Sequence, residues 1–258
     1  MRAVVINLDR STDRLATFSA QAAQIGLAFE RLPAIDAGQV ETAGGYLRPG
    51  EVACFESHRL AWRMLVASEA PWLAVFEDDA CLDPSIVGLL RDDGWIPPGT
   101  DLVKLETFGE RVALAAKGTP APGCRLHRLR STHLGAAGYV ISRRWAMELL
   151  LRSEVWEHPV DWLLFDLHTD SSPGAVVLQA VPAPCIQEQW LAAGRNRTPL
   201  HRSLIEGRGI RPPESQPPRL PKWRREVGRI GRQIRRLPDA IRKGGERSRW
   251  LVVPFAGA

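Results

Sequence analysis

The chain is poor in several things. It has four cysteines, Cys54, Cys81, Cys124 and Cys185, and none stands in a CxxC pair. Scattered cysteines in 258 residues speak against a zinc ribbon and against a disulfide framework, and they fit a reducing compartment. No apolar run is long enough to span a bilayer, and the opening MRAVVINLDR has no leader-like apolar stretch. A cytoplasmic location is therefore expected. Histidine is sparse, without the clusters of histidines and acids that a metal-dependent phosphoesterase would want. Positive charge is scarce over most of the chain. Residues 1–194 hold 17 Lys and Arg against 24 Asp and Glu, whereas residues 195–258 hold 17 against 5. The acidic body offers no basic face, so nucleic-acid binding is not expected of it. A hydrophobic content of 45% supports one large domain with an appendage.

What is there centres on residues 72–82, WLAVFEDDACL. Five apolar residues between Pro71 and three acids read as a buried strand. Glu77, Asp78 and Asp79 then stand at its carboxyl end, where open α/β sheets hold ligands. Adjacent carboxylates repel one another unless a cation or hydrogen-bond donors offset them. Hard oxygen ligands suit Mg²⁺ or Mn²⁺. The plainer alternative is that Asp78 and Asp79 cap the next helix or face solvent.

The chain before this stretch reads β-α-β. Residues 3–8 form a strand, and Leu15, Phe18, Ala22 and Ile25 mark one face of a helix that Gly26 stops. Residues 28–32 form a second strand, with Asp36 beyond its end. Arg10 and Arg14 lie on the first loop and first helical turn, where a phosphate is readily held, unless they are simply surface charges. A glycine-rich loop over 37–50 precedes a helix opened by Pro49 that runs to about Ser68. His58 falls on its buried side, as a core histidine or as part of a nucleotide site. After the acids, a helix opens at Pro84 and residues 101–106 form a strand carrying Lys104 and Glu106. Short β stretches are expected within 107–131. Gly135, Ala136, Ala137 and Gly138 make a run of small residues where backbone can approach a ligand closely. A strand over 139–142, a helix over 143–151, a helix opened by Pro159 with Asp161 in its first turn, and a strand over 175–181 complete the body.

Past Gly194 the composition changes. Residues 195–222 are rich in proline and arginine and read as a linker. Within 223–241, Trp223, Val227, Ile230, Ile234, Leu237 and Ile241 recur at spacings of three and four among arginines. This is a basic amphipathic helix suited to an anionic membrane surface, with an apolar end through residue 255. The chain thus divides into a body over 1–194, a linker over 195–222 and a basic tail over 223–258. The tail could instead dock on its own domain or contact a second copy in a homodimer.

Seven blocks together resemble glycosyltransferase family 25. They are INLDRSTDRL (6–15), GEVACFESH (50–58), VFEDDA (75–80), VKLET (103–107), GAAGYVISR (135–143), PVDWLLFD (159–166) and PAPCIQEQ (182–189). The resemblance covers residues 3–190. It implies an α/β fold of the GT-A type, a Rossmann-like mixed sheet flanked by helices. It implies an inverting, Mn²⁺- or Mg²⁺-dependent transfer from a UDP-sugar, galactose above glucose, to a glycan or glycolipid acceptor of lipopolysaccharide or lipooligosaccharide. The triplet would be this chain's version of the DxD motif, with Asp79 the metal ligand and Glu77 on the metal or the ribose. Asp78, Leu8, Arg10, Arg14, Asp36 and His58 would surround the nucleotide. Gly135, Ala136 and Gly138 would form the wall beside the donor sugar. Asp161 is the favoured base, with Glu106 and Glu188 as the other candidates. An enzyme that builds a lipid-anchored glycan would sit on the inner face of the cytoplasmic membrane.

Overall fold

A computed structural model describes residues 1–40, 47–153, 158–167, 174–195, 198–201 and 247–257. The chain opens with β1 (Arg2–Asn7), α1 (Thr12–Ile25) and β2 (Glu30–Pro33). A single 3-10 turn over Ala37–Gln39 precedes α2 (Pro49–Val66), β3 (Trp72–Glu77), β4 (Ala80–Leu82) and α3 (Ile86–Leu90). Then come β5 (Leu102–Lys104), β6 (Glu106–Thr107), β7 (Arg111–Ala121), β8 (Cys124–Leu129) and β9 (Gly138–Ser142). The rest comprises α4 (Arg143–Arg152), α5 (Val160–Phe165), β10 (Val177–Val181), β11 (Cys185–Gln187), α6 (Glu188–Gly194) and β12 (Ser248–Val252).

Among the described residues, nine strands form one mixed sheet in the order β12-β7-β8-β10-β5-β9-β3-β1-β2. β1 pairs in parallel with both β2 and β3, while β9 runs antiparallel between β3 and β5. Alternate residues of the central strands face opposite sides, as strand geometry requires. Val4, Val75, Tyr139 and Ile141 meet α2, α4 and α5 on one side. Val5, Phe76, Val103 and Val140 meet α1 and α3 on the other. Both faces are covered, so the central strands read as continuous apolar runs. This mixed sheet between helices agrees with the α/β expectation.

A second, three-stranded sheet, β4-β11-β6, sits at the carboxyl ends of β3 and β5. It accounts for one correction. The sequence reads 101–106 as one strand, but the chain changes sheets at Leu105. The Leu105 N–H donates to Gly138 in the large sheet, and its carbonyl accepts from Cys185 of β11. Glu106 then pairs with Cys185 instead of continuing β5.

The ambiguous stretch 107–131 holds a long β7–β8 hairpin with a register shift between Leu114 and Gly118. A second correction concerns the end of the chain. Residues 248–252, grouped by composition with the basic tail, form the sheet's edge strand against β7. Val253 is buried, Thr107 Oγ1 donates to its carbonyl at 2.7 Å, and Phe255 bridges to Ala183. The basic helix expected over 223–241 lies outside the described residues. Among the described residues no helix is long and apolar enough to cross a membrane.

Candidate functional site

The three acids stand at the carboxyl end of β3, as the apolar-then-acidic pattern predicts. Glu77 closes the strand, and Asp78 and Asp79 form the turn into β4. Arg14 ties the two aspartates together, 2.8 Å from Asp78 Oδ1 and 2.8 Å from Asp79 Oδ2. Asn7, the last residue of β1, donates to Asp78 Oδ2 at 2.7 Å. Arg14 is thus buried against the acids, which rules out the alternative of a plain surface charge.

Asp78 is raised above its usual range by burial, against the pull of Arg14 and Asn7. Asp79 is raised further, to about 7, by burial and by the neighbouring Glu77, with Arg14 opposing. Its Oδ1 is buried and has no hydrogen-bond partner among the described residues. An orphaned carboxylate oxygen among three acids is a costly arrangement that a divalent cation would complete. The donor set is hard oxygen, so the residues present fit Mg²⁺ or Mn²⁺.

Glu77 is held from both sides. His58 Nε2 lies 3.3 Å from Oε1, and Gln187 Nε2 donates to Oε2 at 3.4 Å. The proton positions around His58 follow from its partners. Trp62 Nε1 can only donate, and it lies 3.0 Å from Tyr139 Oη. That leaves the Tyr139 hydroxyl hydrogen for His58 Nδ1 at 2.9 Å. Nε2 therefore carries the imidazole hydrogen and donates to Glu77. Cys54, His58 and Glu77 lie close enough to hold a metal ion. A metal on Nε2 would force a hydrogen onto Nδ1 and strand the Tyr139 hydroxyl hydrogen in the core. His58 is thus a fully buried positioning group for Glu77.

A second cluster lies beneath the small-residue run. Lys104 and Glu106 are both fully buried and 3.2 Å apart. Burial pushes the Lys104 ammonium down and the Glu106 carboxyl up from their usual values. Lys104 Nζ donates to the Gly135 carbonyl at 2.6 Å, and Asp161 Oδ2 accepts from the Gly135 N–H at 3.1 Å. Gly135 has φ +90, and a Cβ there would come within 2.8 Å of the Glu106 carboxylate. A Cβ on Gly138 would meet Cys185 Sγ at 2.6 Å. The small residues at 135–138 are thus needed for packing on Glu106 and Cys185. All four residues of the run are buried.

The remaining candidates spread outward. Arg10 and Asp36 form an ion pair with each other at the rim, and the Asp36 side chain also accepts from the Gly38 N–H. The Leu8 carbonyl accepts from the Ser11 N–H and shapes the first turn. Glu188 Oε2 lies 2.9 Å from His201 Nδ1. A cavity of about 370 Å³ opens beside Asp79, lined by Thr17, Gln21, Cys81, Glu188 and Arg195 among others. Sequence reasoning passed over Asn7, Tyr139 and Gln187 as site residues. Asn7 and Gln187 end their strands in two of the family-like blocks, which was the available signal.

With this geometry in view, comparison with known proteins decides the family. Residues 1–164 match the family model described as glycosyltransferase family 25 (LPS biosynthesis protein). The chain belongs to glycosyltransferase family 25. It is a glycosyltransferase. The lacto-N-neotetraose biosynthesis glycosyltransferase LgtB of Neisseria gonorrhoeae is 33% identical over 223 residues, 78% of this chain and 80% of the relative. The lipooligosaccharide biosynthesis protein lic2B of Haemophilus influenzae is 32% identical over 155 residues, 56% of each. A solved glycosyltransferase involved in glycosylation of the major capsid of PBCV-1 aligns at TM-score 0.42 with 8% identity. That alignment covers 72% of the transferase described here and 91% of the solved chain.

Proposed function

We propose that this transferase moves galactose from UDP-galactose, with inversion, onto a hydroxyl of a lipopolysaccharide or lipooligosaccharide glycan. The observation that carries the reading is Asp79 Oδ1, buried and unpartnered within a triplet of acids that Arg14 and Asn7 hold in place. The names of the relatives support the glycan class. Mn²⁺ or Mg²⁺, held by Asp79 and Glu77, would offset the charge that develops on the departing diphosphate.

The chain's own residues do the rest. Arg14 keeps Asp78 and Asp79 together in one fixed geometry. His58 and Gln187 fix the Glu77 carboxylate so that it cannot rotate away. Asp161, at the start of α5, takes the proton of the acceptor hydroxyl as that oxygen attacks the anomeric carbon and the bond to the diphosphate breaks. Glu106 is a poorer base, since it is fully buried and paired with Lys104. Glu188 faces the cavity on the α1 side.

The test is a screen of UDP-sugars for Mn²⁺-dependent UDP release, followed by mass spectrometry of a glycosylated acceptor. Thermal stabilisation by UDP should exceed that by AMP, and equal shifts would count against a UDP-sugar donor. The basic segment over 223–255 is proposed to rest on an anionic membrane. Trp250, 60% exposed on edge strand β12 beside the exposed Arg249, favours that reading.

A further inference from the structure

Large aromatic side chains are normally buried, yet Trp190 is 42% exposed. It sits in the first turn of α6, three residues beyond Gln187 at the end of β11. Phe108 follows directly on β6, and its ring centroid lies 6.0 Å from that of Trp190 at an interplanar angle of 39°. β6 and β11 run side by side in parallel, so the chain leaves both at one edge. The two rings stand there as a single wall. The indole N–H of Trp190 donates to Gln187 Oε1 at 3.3 Å, and the other end of that amide donates to Glu77. The wall is therefore tied to the acids through one side chain.

His133 completes the corner. Its ring centroid is 4.9 Å from that of Phe108, and the residue is 1% exposed. The amide nitrogen of Gln179 serves the carbonyls of Lys104, Glu106 and Ala180, so its oxygen faces His133 Nδ1 at 2.8 Å. Nδ1 must then carry the hydrogen. Nε2 is left as a bare acceptor, buried and without a partner among the described residues. A buried acceptor lacking a donor is unfavourable and calls for a group that supplies one.

We propose that Phe108, Trp190 and His133 form the subsite for the acceptor sugar ring. The inference rests on the reading of the chain as a transferase with a UDP-sugar donor. A pyranose has an apolar face of C–H groups that suits an aromatic wall, and an edge of hydroxyl donors. One of those hydroxyls donates to His133 Nε2. The wall itself carries no cation, so the subsite takes a neutral sugar rather than a phosphate.

The experiment uses the full chain with Mn²⁺ and UDP-galactose. UDP release is followed against rising β-methyl glucoside, β-methyl galactoside or β-methyl N-acetylglucosaminide. Trp190→Ala and Phe108→Ala should each raise the half-saturating glycoside concentration about tenfold. The Kd for UDP, read by calorimetry, should remain that of the wild type. Trp190→Phe keeps a ring face without the N–H and should recover most of the loss. Unchanged half-saturation in both alanine variants overturns the subsite. So does Trp190→Phe behaving like Trp190→Ala, or a loss of UDP binding in the alanine variants. A wild type that binds UDP but responds to none of the glycosides overturns it as well. A wild type that fails to bind UDP instead removes the donor reading, and the subsite with it.

Discussion

Two groups of buried charge lie one peptide apart in this transferase and are built in opposite ways. Ala137 stands between them. Its carbonyl accepts from the Glu77 N–H at 3.1 Å, and its own N–H donates to Glu106 Oε2 at 3.1 Å. On one side, Arg14 bridges Asp78 and Asp79, Glu77 rests on His58 and Gln187, and Asp79 keeps an oxygen without a partner among the described residues, next to a cavity. On the other, one lysine meets one glutamate in full burial, and Gly135 is gripped at both its N–H and its carbonyl. The first group carries excess negative charge with room beside it. In the second, Lys104 balances Glu106 within the core, with Asp161 at its margin on the Gly135 N–H. Charge in a core is thus not one signal. An unbalanced cluster beside open space waits for a ligand, and a balanced one under a loop holds the loop's shape.

Substitutions should separate the two groups by what they damage. Lys104→Met strands Glu106 and should cost about 3–5 kcal/mol of stability in chemical denaturation, with Glu106→Gln added to it restoring most of the loss. Single losses that simply add would break the picture of a paired, closed cluster. Asp79→Ala should do the reverse. It should lower Mn²⁺-dependent UDP release about 10³-fold while leaving the thermal midpoint unchanged or higher, because it removes an unsatisfied buried charge. Retained activity would take Asp79 off the metal.

Gly135→Ala places a methyl against Glu106 at a left-handed φ and should cost about 1–3 kcal/mol, seen as a lowered midpoint. A neutral result would mean that the loop can move away from Glu106. Protons compete with the cation for Asp79, whose carboxyl is raised to about 7. Mn²⁺ affinity by calorimetry should therefore climb by about tenfold per pH unit below that point and level off above it. A flat profile from pH 5 to 7 would contradict the assignment. Tyr139→Phe, which removes the hydroxyl that fixes His58, should be the mildest, at about 1 kcal/mol with a small fall in kcat. A large fall in kcat would mean that Glu77 depends on the Trp62–Tyr139–His58 chain more than its contacts indicate.

Much of the open cluster was legible in the sequence because its signals are local. Five apolar residues ending in EDD form β3 with its acids at the carboxyl end, and the β-α-β opening brings Arg14 to them. The closed cluster was not legible, because every contact in it is long-range. Lys104 and Glu106 were read on one strand, yet the break at Leu105 is set by Gly138 and Cys185, dozens of residues away in the chain. The glycine run was visible as small residues, but nothing local says that a carboxylate and a thiol fill the space their side chains would take. The segment 182–189 carries no periodicity, so β11 and α6 appear only when β4 and β6 flank them. β12 was hidden for a related reason. Its apolar end follows a long arginine-rich stretch, and composition groups neighbours in sequence rather than partners in a sheet.

That edge strand changes the topology of the basic segment. Residues before it are anchored by His201 against Glu188, and residues after it are stitched into the sheet from Ser248 to Phe255. The described residues on both sides of the arginine-rich stretch, 198–201 and 247–257, thus belong to the catalytic body. Cutting the chain at residue 195 would strip a strand from the sheet and bare β7, confusing loss of fold with loss of membrane contact. An internal deletion of residues 202–246 with a short glycine-serine bridge keeps β12 in register. A shorter connection between two fixed points costs less closure entropy, so the excised enzyme should fold at least as well and report only on what the basic segment touches.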